Sequence, residues 1–205
     1  PVVQDGDLVL AESGAIVEYL VERHGGGRLV PQRGTPEHVR YLHWLHFAEG
    51  SAMPPLLMKL VLDRVRSAPM PFFARPIARA IADKVTEGFV APNLMRQFAF
   101  MERELARAKW FAGDAFSAAD IQMSFPLEAA AARAGLDARY PRLVDWLARI
   151  HARPALHVQN RNHLTHAWLP RDRFDEVRSE RGWHFARRGD GYLALRSKQP
   201  AAWNE

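Results

Sequence analysis

A carboxylate followed by a hydroxyl, Glu12-Ser13, stands at the head of a helical pattern that runs to His24. A serine in that place can cap a helix by accepting one of its unpaired N–H groups. Those N–H groups also carry a partial positive charge, so a helix start can hold an anion. Both uses stay open from these two residues alone. Ser117 and Asp120 have the spacing of a capping box, in which the N-cap and N3 side chains satisfy each other's backbone N–H groups. Phe116 and Ile121 have the spacing of the accompanying hydrophobic staple, and this pairing is structural rather than catalytic. Nine histidines are present, with His38, His43 and His46 on one helical segment and His163 and His166 three apart near the end. No nearby Asp or Glu apart from Glu49 completes a ligand set, so no metal site is expected. Cysteine is absent, which excludes a disulfide framework, thiolate metal ligands and a cysteine nucleophile within these residues.

The elements around these residues follow from periodicity. Pro1-Val-Val-Gln and Leu8-Val-Leu10 are β-prone and flank Asp5-Gly6, a hairpin signal. A helix comes next, with Ile16, Tyr19 or Leu20, and Arg23 at helical spacing, ended by the glycines at 25–27. Two strands and one helix cannot bury a core alone. Residues 28–35 form a linker, and Thr35-Pro36 opens the next helix as N-cap and first helical residue. Helical patterning then continues almost to residue 160. Tyr41, Leu45, Ala48 and Ala52 mark the inner side of the first helix, which is expected to break or kink at Pro54-Pro55. Leu56 to about Arg66 continues it, and residues 72–88 hold one or two shorter helices. Leu94, Phe98, Met101 and Leu105 form an amphipathic stripe. Helices at about 118–134, 142–152 and 155–160 complete a bundle of five or more.

Residues 161–205 differ from the rest. Trp183-His-Phe-Ala and Tyr192-Leu-Ala-Leu flank Gly189-Asp190-Gly191 and predict a β-hairpin. Nine of the 28 Lys/Arg and six of the 23 Asp/Glu lie there, so this segment holds more than half of the net charge of +5. The surplus over residues 1–160 is that of a solvated surface. Interleaved arginines and aromatics near the end could stack on single-stranded nucleic acid. The acidic residues among them dilute that signal, and no nucleic-acid partner is expected. No apolar run has the length of a membrane span and no signal peptide is visible, so the expectation is a cytoplasmic protein without a membrane partner.

Residues 1–20, opening on Pro1 and containing Glu12-Ser13, resemble the second half of the N-domain of glutathione S-transferases. Phe111-Ala-Gly-Asp-Ala-Phe-Ser-Ala-Ala-Asp-Ile121 resembles the family's capping box and staple. Tyr140 to Ala155, with its Arg-Pro step, and Leu45 to Leu57 resemble later and earlier helices of the same fold. The resemblance covers residues 1 to about 160 and is nearest to bacterial cytosolic members. It implies the C-terminal half of a thioredoxin-like α/β domain over 1–27, a linker over 28–35 and an all-helical domain over 36–160. The β-prone segment 161–205 lies outside the family pattern.

The resemblance implies glutathione as co-substrate, a small hydrophobic electrophile as second substrate, and a homodimer. Pro1 then corresponds to the family's cis-proline. Glu12 and Ser13 correspond to the pair that binds the γ-glutamyl end of glutathione, with Glu12 facing the α-amino group and Ser13 the carboxylate. Phe47, Glu49, Ser51, Met53, Pro54 and Leu57 are the expected electrophile pocket, although an apolar set at helical spacing also reads as core. The family's thiolate-stabilising Tyr, Ser or Cys lies before the matching proline. That β-α-β portion is expected to be missing here, which leaves the catalytic residue unnamed and transferase activity impaired. Two other readings fit the same residues: a non-catalytic interaction module of transferase-like fold, and a fused or truncated reading frame. The retained Glu12-Ser13 pair favours an enzyme-type site over a scaffold.

Overall fold

Gly6 takes a φ of +60°, which lets the chain reverse tightly and lay β2 (Leu8–Ala11) antiparallel on β1 (Val2–Asp5), with Asp5 opposite Leu8. The structure is a computed structural model that describes residues 2–153 and the strand segments 176–180, 183–188 and 191–196. The hairpin leads into α1 (Ser13–His24), and the two are pinned together at one carboxylate. Asp5 Oδ2 accepts from the Tyr19 hydroxyl at 2.8 Å and lies 3.1 Å from His24 Nε2. Ile16 and Val21 are the residues of α1 that are buried.

The chain then crosses to the helical bundle. Thr35 accepts from the His38 N–H and Pro36 occupies the first turn of α2 (Pro36–Phe47), the expected capped start. A break at Pro54-Pro55 does not occur. A π-helical turn, Ala48–Ala52, joins α2 directly to α3 (Met53–Ser67), and the backbone stays helical throughout. The same device recurs where α4 (Arg75–Val85) passes through a π-turn, Thr86–Val90, into α5 (Ala91–Glu104). In each case a proline sits four residues after a glycine: Pro54 after Gly50 and Pro92 after Gly88. A proline clashes with the carbonyl four residues back and donates no hydrogen bond. Widening that turn by one residue accommodates both problems without ending the helix. The Ser51 carbonyl, left without a helical donor by Pro55, accepts from Gln97 Nε2 on α5 at 2.7 Å.

The core is aromatic and continuous. Trp44 on α2 meets Phe111 at 4.4 Å between ring centroids, and Phe111 meets Trp146 on α7 (Pro141–His151) at 5.0 Å. The stripe read from the sequence is buried as expected, with Leu94, Phe98, Met101 and Leu105 all in the core. The central helix α6 (Ala118–Arg133) is buried along most of its first three turns. It packs against α1 and α2, and its start is tied to the linker by the Ala118 N–H donating to the Leu29 carbonyl at 2.8 Å. Phe116 lies edge-on to Trp110 at 5.0 Å.

Contacts along the chain divide it into Pro1–Ile150 and His151–Glu205. In the second unit β4 (Trp183–Arg188) and β5 (Gly191–Arg196) form the expected hairpin, with Arg188 opposite Gly191. A further strand, β3 (Glu176–Glu180), pairs antiparallel with β4 and extends the hairpin beyond what the turn signal implies. The helix expected at 155–160, together with His163 and His166, lies outside the described residues, as does Pro1.

Candidate functional site

The start of α1 is unusual in two respects. Glu12, its N-cap residue, holds φ 76° and ψ 122°, a left-handed conformation that a side chain disfavours. Such a backbone costs on the order of 1–3 kcal/mol and persists where the surroundings enforce it, most often at functional sites. The helix also has no side-chain cap. Ser13 does not serve as one, because its side chain is engaged elsewhere. The first backbone N–H groups of α1 are therefore left without a side-chain cap beside an exposed Glu12, and a helix start of this kind can receive an anion.

The Ser13 hydroxyl donates to Glu49 Oε1 at 2.8 Å, and Gln122 Nε2 donates to the Ser13 oxygen at 2.8 Å. Gln122 Nε2 also reaches Glu49 Oε1 at 3.1 Å, closing a triangle among three elements. Each corner is placed by local structure. Ser13 is the first residue of α1, Glu49 rides the π-turn between α2 and α3, and Gln122 sits in the buried second turn of α6. A π-turn adds a residue to the helix, and this one carries a carboxylate turned toward α1. Glu12 and Glu49, both exposed, give the helix start two anionic neighbours suited to an ammonium group.

The residues expected to line an electrophile pocket lie along the end of α2, the π-turn and the start of α3. Phe47 and Ser51 border a shallow groove with Val39, Leu42, His43 and His46. Phe47 also packs, tilted or edge-on, against Trp44, His43 and Phe100, with ring centroids 5.0 to 5.8 Å away, so part of its surface belongs to the core. Glu49 accepts from the Ser13 hydroxyl of α1. Met53 is half-buried, Pro54 is exposed and Leu57 is 56% exposed on α3. No motif or local spacing marks Gln122, or the places of His43 and His46 along the groove. No cluster of three or more metal-ligating side chains occurs among the described residues.

Asp120 anchors the start of α6. Its Oδ2 accepts from the Ser117 N–H and hydroxyl, both at 3.0 Å, closing the reach-back half of the capping box. Its Oδ1 accepts from the Phe111 N–H at 3.0 Å and Trp146 Nε1 at 3.1 Å. Full burial pushes this carboxyl above its ordinary pKa, against the downward pull of those four donors. Asp120 and Ser117 are therefore tied to the core, while Ser13 and Glu49 meet nearer the surface over a buried Gln122.

Residues 81–154 match the family described as Glutathione S-transferase, C-terminal domain. Glutathione S-transferase GstB of Escherichia coli K12 is 30% identical over 162 residues, covering 76% of this chain and 70% of that protein. The chain belongs to the glutathione S-transferase family. Glutathione S-transferase 1 of Saccharomyces cerevisiae is 32% identical over 144 residues, and the match spans 62% of that relative's length and 69% of this chain. Among solved structures, a sphingomonad glutathione S-transferase complexed with glutathione is 27% identical, with a TM-score of 0.56 and coverage of 77% of this chain and 70% of that one. As a family member the chain has the mainly helical architecture that the sequence predicts, with the strand-turn-strand-helix unit preceding the bundle.

Proposed function

We propose that this glutathione S-transferase family protein binds glutathione at the start of α1 and presents its sulfur to a small hydrophobic electrophile. The γ-glutamyl carboxylate takes the uncapped N–H groups of Ser13 and its neighbours, and the α-amino group lies between Glu12 and Glu49. The observation that carries this reading is Glu12. A strained, left-handed glutamate beside an uncapped helix has no stabilising role of its own, and it leaves both binding groups exposed. Gln122 is buried and holds Ser13 and Glu49 from below, so the pair is positioned before a ligand arrives.

In the conjugation step the thiol gives up its proton, and the thiolate forms a bond to carbon as the leaving group departs with its electron pair. The residues assigned here bind the γ-glutamyl half and do not touch the sulfur. Phe47 and the groove beside it are the assigned apolar contact for the electrophile. A cytoplasmic setting completes the proposal.

Fragments of the tripeptide test the assignment. γ-Glutamylcysteine should bind this chain nearly as well as glutathione, and cysteinylglycine should not bind. Preference for cysteinylglycine would contradict the γ-glutamyl reading.

A further inference from the structure

Sixteen residues from Arg64 to Arg79 carry four arginines and no acidic residue. They form the end of α3, the turn after it and the first turns of α4. Arg66 is neutralised within the fold, at 2.8 Å from Asp63 and 2.6 Å from Asp83. Arg64, Arg75 and Arg79 are exposed, and none meets a carboxylate among the described residues. Between them the turn presents Phe72 and Phe73, 81% and 65% exposed, with their rings edge to face at 5.7 Å. Phe72 is the most exposed large apolar side chain among the described residues, and Ile77, in the first turns of α4, is 62% exposed.

Two phenylalanines in water at the tip of a helical hairpin cost the protein hydrophobic free energy and return nothing to its core. Pro69 and Pro71 restrict the turn that carries them, so docking it loses little conformational entropy. Aromatic tips ringed by arginines match an interface that is apolar inside and anionic outside. A nucleic-acid strand would satisfy the arginines but offers no partner for Ile77.

We propose that the α3–α4 turn docks on an anionic lipid surface, with Phe72 and Phe73 entering the acyl boundary and Arg64, Arg75 and Arg79 meeting acidic headgroups. This departs from the expectation of no membrane partner, and it concerns attachment to a surface: no helix among the described residues is long and apolar enough to cross a membrane. The turn lies at the far end of α3 from Glu49, about 20 Å along the helix axis, so glutathione binding and docking can be tested separately.

The test is sedimentation of the full chain with phosphatidylcholine vesicles, with and without phosphatidylserine. The chain should pellet only with the phosphatidylserine vesicles, and less so as salt is raised. A Phe72→Ser, Phe73→Ser variant should bind about tenfold more weakly. An Arg75→Gln, Arg79→Gln variant should lose about fivefold per arginine. All four side chains are exposed, and unchanged far-ultraviolet circular dichroism will verify that both variants fold. Equal pelleting with the two vesicle types, no pelleting at all, or variants that bind like the parent would each overturn the proposal. Loss through the arginines with none through the phenylalanines would also overturn it, because it would mean adsorption without insertion.

Discussion

Ser13 and Glu49 are 36 positions apart in sequence, yet the hydroxyl of one donates to the carboxylate of the other at 2.8 Å. The contact joins the start of α1 to the π-turn in the first bundle helix, and Gln122 secures it from α6. Both side chains remain open to solvent on their other sides. If Glu49 serves the α-amino group of glutathione, Glu49→Gln should weaken glutathione binding by about tenfold, the scale of one charge-assisted hydrogen bond. The melting temperature should shift by only a few degrees, since Glu49 is exposed. Calorimetric titration beside a thermal melt will separate the two effects.

Gln122 allows a complementary prediction. Gln122→Leu keeps the volume of a buried side chain but removes its two hydrogen bonds, so Ser13 and Glu49 lose their support. Affinity for glutathione should fall several-fold, and a Ser13→Ala, Gln122→Leu double variant should lose less than the sum of the single losses. Such coupling is the signature of groups acting through each other.

Asp120 governs stability rather than binding. Asp120→Ala would leave the Phe111 and Ser117 N–H groups and the Trp146 indole unpaired inside the core. A loss of about 3 kcal/mol or more is expected, read from urea denaturation. The pH dependence follows from the raised pKa of this carboxyl. Because the folded state holds the proton more tightly than the unfolded state, the linked stability is present below the unfolded value, near pH 4. It is lost as pH rises through the folded value. Relative to Asp120→Asn, the parent chain should therefore be favoured more at pH 4 than at pH 7.

The opening hairpin should respond to acid in the opposite sense. The Tyr19 hydroxyl, then His24 and Arg23, hold Asp5 below the usual carboxylate range. Its contribution to docking β1–β2 on α1 is present above the ordinary carboxylate pKa and is lost as pH falls through the lowered one. Tyr19→Phe removes the largest of these influences, so the Asp5 carboxyl should titrate at a higher pH in that variant. Carboxyl chemical shifts followed through an acid titration will measure it.

Local spacing makes much of this protein legible from its sequence. Ser117 and Asp120 stand three apart before an apolar run, and Leu94 to Leu105 repeat every turn, so both announce their elements. Glu12-Ser13 is visible as a helix start for the same reason. What stays hidden depends on contacts far apart in the chain. Nothing near Gln122 marks it as the partner of a serine 109 positions earlier, and nothing near Trp146 marks its bond to Asp120. The π-turn before Pro54 is hidden as long as Pro54-Pro55 is weighed as a helix break, and no local signal marks the one before Pro92. The contact of Glu49 with Ser13 is hidden in the same way, because it joins residues 36 positions apart.

The functional assignment depends on a γ-glutamyl site at Glu12-Ser13, and one titration probes that site with least inference. Glutathione should be added by calorimetry to the purified 205-residue chain and to a Glu12→Ala, Ser13→Ala variant. Millimolar or tighter binding by the parent is expected, with loss of that binding in the variant and both proteins equally helical. Binding of equal strength to the two proteins, or no heat from the folded parent chain, would contradict the assignment.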